Sequence, residues 1–88
     1  MRCEFTVGGR IRTAKSLDEA RRYVIPYYTG YLRYHDTQMI GMEIRSEYHQ
    51  KLGTIFFMKK KDDIEVSWKE RCNEYLVNRD GTLREKVR

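Results

Sequence analysis

Hydrophobic and polar residues alternate at the start of the chain, on either side of a glycine pair. Phe5 and Val7 alternate with polar neighbours, and the alternation resumes at residues 10–13, after Gly8 and Gly9. A period of two is typical of a strand with one buried face, and a Gly-Gly pair supplies the positive φ angles of a tight turn. The pattern therefore predicts an N-terminal β-hairpin.

A helical period begins after Ser16. Ser16 and Glu19 have the spacing of a capping box, in which each side chain accepts a hydrogen bond from the amide of the other residue. The apolar stripe that follows consists of Leu17, Ala20 and Val24. Because proline has no amide hydrogen and crowds the preceding turn, Pro26 predicts a helix end near Val24 or Ile25.

Residues 26–38 form a tyrosine-rich segment without a clear period. A second short helix and an ordered aromatic loop fit this segment equally well, and we interpret it as a loop. Its aromatic residues surround Arg33 and are Tyr27, Tyr28, Tyr31 and Tyr34.

The C-terminal half predicts strands joined by short turns. Residues 39–47 and 64–69 alternate with a period of two, whereas residues 54–58 are apolar at consecutive positions and predict a central strand. Residues 59–63 predict a charged turn. Residues 70–88 contain an Asp-Gly turn signal, and they predict either a final hairpin or a tail that orders only on a partner.

Together these elements predict a single α+β domain over residues 1–88. The order β-β-α-β-β-β implies an antiparallel sheet of four to six strands, with one helix packed on one face and the other face open and largely polar. A chain of 88 residues has room for one core only. The predicted core consists of Phe5, Val7, Leu17, Ala20, Val24, Ile40, Met42, Ile44, Ile55, Phe57, Val66 and Trp68.

Composition points to a basic protein of the cytoplasm. The chain carries 18 Lys and Arg against 13 Asp and Glu, a formal charge of +5, which favours either simple solubility or an acidic partner. Cys3 and Cys72 fit no zinc or redox spacing, and the N-terminus does not resemble a secretory signal. The longest apolar run, residues 55–58, is far too short to cross a membrane. We therefore expect reduced thiols and no membrane association.

No pattern predicts catalysis, a metal or a cofactor. The two histidines, His35 and His49, lie in a predicted loop and a predicted turn among ordinary surface residues. Neither His nor Cys recurs at the short intervals of a tetrahedral metal site. The adjacent carboxylates are explained by helix capping and turn formation. We therefore expect a protein that is not an enzyme.

Basic residues interleave with tyrosines, a combination that can bind phosphates and stack on unpaired bases. Two alternatives stay open: the tyrosines cover an edge of the core beside solvated charges, or the same residues recognise a protein. The candidate partner-binding residues are Arg10, Arg12, Lys15, Arg21, Arg22, Tyr27, Tyr28, Tyr31, Arg33, Tyr34, Lys59, Lys60 and Lys61.

The order of these elements resembles that of several small phage-encoded proteins. The run TAKSLDEARR at residues 13–22 is reached from a short strand and is followed by a meander, a charged turn and the strand IEVSW at residues 64–68. Over about residues 3–68 this layout resembles short phage proteins, among them small anti-CRISPR proteins that bind type I surveillance complexes. Residues 26–38 and 69–88 depart from it. The resemblance implies an α+β fold and non-catalytic binding to a nucleoprotein machine, and it assigns no residues.

These observations favour a small basic binding module that docks on nucleic acid or on a complex that contains nucleic acid. The alternative is a protein–protein adaptor or a self-assembling subunit, for example a homodimer, without a nucleic-acid role. Exposed strand edges and aromatic side chains serve that alternative as well, so composition does not separate the two.

Overall fold

The computed structural model describes residues 2–87 and contains seven strands and one helix over that range. The strands are β1 (Cys3–Val7), β2 (Arg10–Ala14), β3 (Met39–Ser46), β4 (Lys51–Lys59), β5 (Ile64–Glu70), β6 (Asn73–Val77) and β7 (Leu83–Lys86). The helix, α1 (Leu17–Tyr34), lies between β2 and β3 in the chain. The strands form one antiparallel sheet in the order β2-β1-β3-β4-β5-β6-β7.

The α+β class and the antiparallel sheet are confirmed, but the predicted strand count and element order are wrong. The described chain has seven strands, because β6 and β7 follow β5 where the predicted order ends. These two strands form the final hairpin, one of the two alternatives for residues 70–88. Buried and exposed residues do not alternate clearly along either strand, because both strands lie at the margin of the sheet. The prediction of a central strand over residues 54–58 is confirmed, because β4 is fourth of the seven strands.

The helix continues through Pro26, so the predicted loop over residues 26–38 is wrong as far as Tyr34. Pro26 cannot donate a hydrogen bond to the carbonyl of Arg22, but both residues are exposed and water can reach that carbonyl. The apolar stripe continues beyond the proline to Leu32, which is fully buried. Burial of this second half of the stripe offsets the local cost of the proline, about 3 kcal/mol. In the described part of the chain, no helix has the length and apolar character needed to cross a membrane.

The core lies between α1 and one face of the sheet. Every residue of the predicted core is buried or packs against the buried cluster, so that prediction is confirmed. The largest fully buried side chains are those of Trp68, Phe57 and Leu32. The structure adds further buried apolar residues to those predicted: Cys3, Ala14, Ile25, Leu32 and Val77.

The predicted Gly-Gly turn and the Ser16 cap are both present, but one hydrogen bond of the capping box has a different donor. Gly8 and Gly9 have φ angles of 60° and 79° in the β1–β2 turn. The Ser16 hydroxyl accepts from the Glu19 amide at 3.1 Å, as a capping box requires. The Glu19 carboxylate accepts from the amide of Lys15 at 3.4 Å rather than from that of Ser16. The Ser16 side chain therefore caps the helix N-terminus, and the Glu19 carboxylate reaches back to the residue before the cap.

Arg21 joins the helix to the final hairpin. Its guanidinium donates to the carbonyl of Gly81 at 2.7 Å, pairs with Asp18, and lies 4.8 Å from the centre of the Trp68 ring. The side chain is only 3% exposed, and burial lowers the pKa of Arg21. Gly81 has φ = 91°, and a Cβ there would lie 2.1 Å from the carbonyl oxygen of Asp18. Arg21 and Gly81 thus close the β6–β7 turn onto the first turns of α1.

The two thiols should differ sharply in reactivity. Cys3 is fully buried, and burial raises the pKa of its thiol, whereas Cys72 is exposed. Because the thiolate is the reactive form, a thiol reagent at neutral pH should label one cysteine quickly and the second only after denaturation. Mass spectrometry of the labelled protein measures this, and Cys72→Ser should remove the fast phase. If both cysteines of the native protein were labelled equally fast, the burial of Cys3 would be contradicted.

Candidate functional site

The two faces of the sheet differ in charge. Cross-strand partners share a face, so the register assigns each strand residue to the helix side or to the open face. The charged strand residues of the open face are five carboxylates and three cations: Glu4, Glu43, Glu65, Glu74 and Glu85 with Arg45, Lys51 and Lys69. Since the whole chain has a charge of +5, the basic excess lies on the helix side and in the turns.

One flank of α1 carries tyrosines one helical turn apart. Tyr23, Tyr27 and Tyr31 are 48%, 42% and 38% exposed, and a four-residue spacing separates successive side chains by about 6 Å along the axis. Neighbouring aromatic side chains hold these rings in place. The Tyr23 ring lies 5.5 Å from that of Phe5, and the Tyr31 ring stacks on that of His35 at 3.8 Å with an interplanar angle of 5°.

The outer strand β2 places two arginines on the same side as these tyrosines. The register pairs Arg12 with Phe5, whose ring contacts Tyr23. Arg10 pairs with Val7 and therefore points to the same face. Both arginines are exposed, and in residues 2–87 no ion pair joins either of them to a carboxylate. We name this surface the arginine–tyrosine flank; it consists of Arg10, Arg12, Tyr23, Tyr27 and Tyr31.

Tyr28 lies at the edge of the core. Its hydroxyl donates to the carbonyl of Thr6 at 2.8 Å, and its ring lies 5.5 Å from that of Phe57. Burial raises the pKa of the Tyr28 hydroxyl. Tyr28 therefore fits the alternative in which the tyrosines cover an edge of the core. Tyr34 is largely exposed and does not belong to the arginine–tyrosine flank.

The helix separates Arg33 from the tyrosines that surround it in the sequence. Residues two apart on an α-helix point in nearly opposite directions, so Arg33 and Tyr31 lie on different flanks of α1. Arg33 instead lines a groove together with Lys60, next to strands β5 to β7. The apparent interleaving of Arg33 with the tyrosines is therefore absent from the surface.

The other candidate residues lie elsewhere. Lys59 donates to the carbonyl of His35 at 3.1 Å and so closes the C-terminus of α1. Lys15 is exposed before the helix, and Lys61 is exposed in the β4–β5 turn. Arg22 is exposed on α1, and its backbone lies close to Gly81 in the β6–β7 turn. Arg21 is buried as described above, which removes it from any accessible surface in this structure.

Tyr23 is not among the predicted binding residues, although the sequence contains a signal for it. Tyr23, Tyr27 and Tyr31 are spaced by four residues, which places them on one face of a continuous helix. The predicted helix end at Pro26 hid this relation. Arg79 and Arg84 line the same groove as Arg33 but are not among the predicted binding residues, because nothing local indicates that the final hairpin borders this groove.

The two imidazoles lie apart and are engaged with neighbouring groups. His35 Nδ1 lies 2.9 Å from the carbonyl oxygen of Tyr31, and His49 Nδ1 lies 2.9 Å from a carboxylate oxygen of Glu4. Within residues 2–87, no group of three or more His, Cys, Asp and Glu side chains is placed to hold a metal ion.

No known protein family, curated protein or solved structure matches this chain. The resemblance to small phage-encoded proteins, including anti-CRISPR proteins, therefore stays a prediction. The described residues define a small α+β protein, in which one helix packs on one face of a seven-stranded antiparallel sheet.

Proposed function

We propose that this protein is a non-enzymatic module that binds single-stranded nucleic acid, free or within a nucleoprotein complex, through the arginine–tyrosine flank. The observation that carries the proposal is the juxtaposition of three half-exposed tyrosines, one helical turn apart, with two arginines on the adjacent strand that form no ion pair within residues 2–87. Aromatic rings stack on unpaired bases, and arginines bind the phosphates between them.

The spacing of the rings supports a single strand rather than a duplex. Successive tyrosines are about 6 Å apart along the helix axis, whereas stacked bases in a duplex are about 3.4 Å apart along each strand. Bases bound to separate rings must therefore be unstacked from each other. Because Phe5 and His35 already hold the rings of Tyr23 and Tyr31, binding would cost little side-chain entropy.

Two features support a role without catalysis. The imidazole of His35 stacks on a tyrosine of the flank, and that of His49 pairs with Glu4, on the open face of the sheet. A general base needs a nucleophile or substrate proton within hydrogen-bond reach. The contacts of His35 and His49 are instead a backbone carbonyl, an aromatic ring and a carboxylate.

A fluorescence-anisotropy titration with labelled single-stranded RNA and DNA, and with the matching duplexes, tests this proposal. We expect single strands to bind more tightly than duplexes, with log K falling linearly as log salt rises. Each phosphate contact contributes about −0.7 to that slope for a single strand. Arg10→Ala with Arg12→Ala should therefore make the slope less steep by about 1.4.

A charge-matched variant serves as the control. Arg45→Ala with Lys51→Ala removes the same charge from the open face, where both cations pair with Glu43. This control should keep the slope of the unmodified protein. The proposal would be overturned if both double variants changed the slope of log K against log salt equally, or if no oligonucleotide bound at low salt.

A further inference from the structure

The sheet is wider than one helix can cover, and this leaves a groove. Strands lie about 4.8 Å apart, so seven strands span about 29 Å, whereas a helix with its side chains is about 10 Å wide. Helix α1 makes its main contacts with β1 to β5, so it covers β6 and β7 less than the rest of the sheet. The result is a groove of about 610 Å³ between the C-terminal half of α1 and strands β5 to β7.

The floor of this groove is aliphatic. It is formed by Ile25 of the helix, Val66 of β5 and Val77 of β6. Ile25 and Val77 belong to the buried core, and Val66 packs against it, so the floor is a continuation of the core towards solvent. Among the described residues that line the groove none is aromatic, and a nucleic-acid base would therefore find no ring to stack on.

The rim of the groove is basic. Four cations line it, Arg33 from the helix, Lys60 from the β4–β5 turn, and Arg79 and Arg84 from the final hairpin. No ion pair joins any of them to a carboxylate within residues 2–87. Asp63 and Glu65 also border the groove, but the register places the Glu65 side chain on the open face of the sheet. The Asp63 carboxylate already accepts a hydrogen bond from the amide of Ile64 at 2.8 Å.

We propose that this groove binds an acidic segment of a protein partner, in which aliphatic side chains alternate with carboxylates. The aliphatic side chains would contact Ile25, Val66 and Val77, and the carboxylates would pair with the rim arginines. A nucleic acid could use the cations but would leave the aliphatic floor without a contact. The groove and the arginine–tyrosine flank lie on opposite flanks of α1, so this proposal does not depend on the proposed function.

Synthetic peptides of about ten residues test the groove, because an extended peptide of that length reaches about 35 Å, close to the longest dimension of the molecule at 37 Å. The probes are fluorescent peptides that alternate Glu with Leu, Glu with Ser, or Lys with Leu, and an oligothymidine. In anisotropy titrations of the full chain, the Glu–Leu peptide should bind most tightly. NMR titration of the same chain should place its largest amide shifts at Val66, Val77 and Arg79.

Reversing two rim charges distinguishes the groove from a general charge effect. Arg33→Glu with Arg84→Glu should weaken binding of the Glu–Leu peptide by about tenfold or more and should make the Lys–Leu peptide the better ligand. Arg10→Glu with Arg12→Glu, on the other flank, should leave the peptide affinity unchanged. Circular dichroism checks that each variant is folded.

Three results would overturn the groove proposal. They are an absence of Glu–Leu binding at millimolar concentration, shifts that map to the arginine–tyrosine flank, and groove shifts caused by oligothymidine. The first two results would not bear on the proposed nucleic-acid binding. Conversely, if no oligonucleotide binds the arginine–tyrosine flank, the proposal that the groove binds an acidic peptide still stands.

Discussion

Alanine at both Tyr27 and Tyr31 should weaken the binding of a single-stranded oligonucleotide by about thirtyfold or more. Stacking of one base on an aromatic side chain contributes about 1–3 kcal/mol, so the loss of two rings costs at least about 2 kcal/mol. The salt dependence should stay unchanged, because no phosphate contact is removed. Phenylalanine at both positions keeps the rings and should keep most of the affinity. Anisotropy titration at one fixed salt concentration measures each variant.

Tyr48 supplies the matched control for this prediction. It is 79% exposed in the β3–β4 turn and is not part of the arginine–tyrosine flank, and Tyr48→Ala removes the same kind of ring from the surface. The Tyr48→Ala variant should bind the single-stranded oligonucleotide as tightly as the unmodified protein does. If the phenylalanine variant loses as much affinity as the alanine variant, or if Tyr48→Ala loses as much, the tyrosines of the flank do not act as stacking surfaces.

Alanine at Gly53 should lower the melting temperature by at least about 12 °C. A Cβ at this position would lie 2.2 Å from the Cζ2 atom of the Trp68 ring. The ring is fully buried, its indole NH donates to the Glu70 carboxylate at 2.9 Å, and the guanidinium of Arg21 packs against it. Since the ring cannot move aside freely, we expect a cost of about 3 kcal/mol, a large part of the stability of a small domain.

The same substitution at Gly30 should have the opposite effect. Gly30 lies within α1, and a Cβ there has no atom within 4 Å. Alanine is favoured over glycine inside a helix by about 1 kcal/mol, so Gly30→Ala should raise the melting temperature by about 4–8 °C. Thermal unfolding followed by circular dichroism compares the two variants. A Gly53→Ala protein as stable as the unmodified chain would show that the Trp68 ring does not lie over this glycine.

Several elements follow directly from short-range patterns. The alternation around Gly8 and Gly9, the Ser16 cap and the apolar run at residues 54–58 each predict a feature that is present. The hairpin turn and the cap depend on interactions between residues a few positions apart. The central strand depends only on the hydrophobic pattern along that strand. The predicted core is correct for the same reason, since the period of two identifies the buried face of each strand.

The end of the helix and the final hairpin do not follow from such patterns. Pro26 is a local signal for a helix end, but the burial of Leu32 against the sheet outweighs it. Strands β6 and β7 add to the margin of the sheet, where one helix no longer covers them, so their burial does not impose a regular alternation. In both cases the deciding contacts are made with residues far away in the chain.

The sequence by itself determined the α+β class, the hairpin, the start of the helix, the central strand and most of the core. Only the tertiary structure decided which charged and aromatic residues of different elements share a surface. Arg12 lies on the side of Tyr23 because β2 pairs with β1, and Arg21 is buried because it meets the carbonyl of Gly81, 60 residues away. Local chemistry specifies the period of an element, whereas the order and register of the strands determine which distant side chains meet.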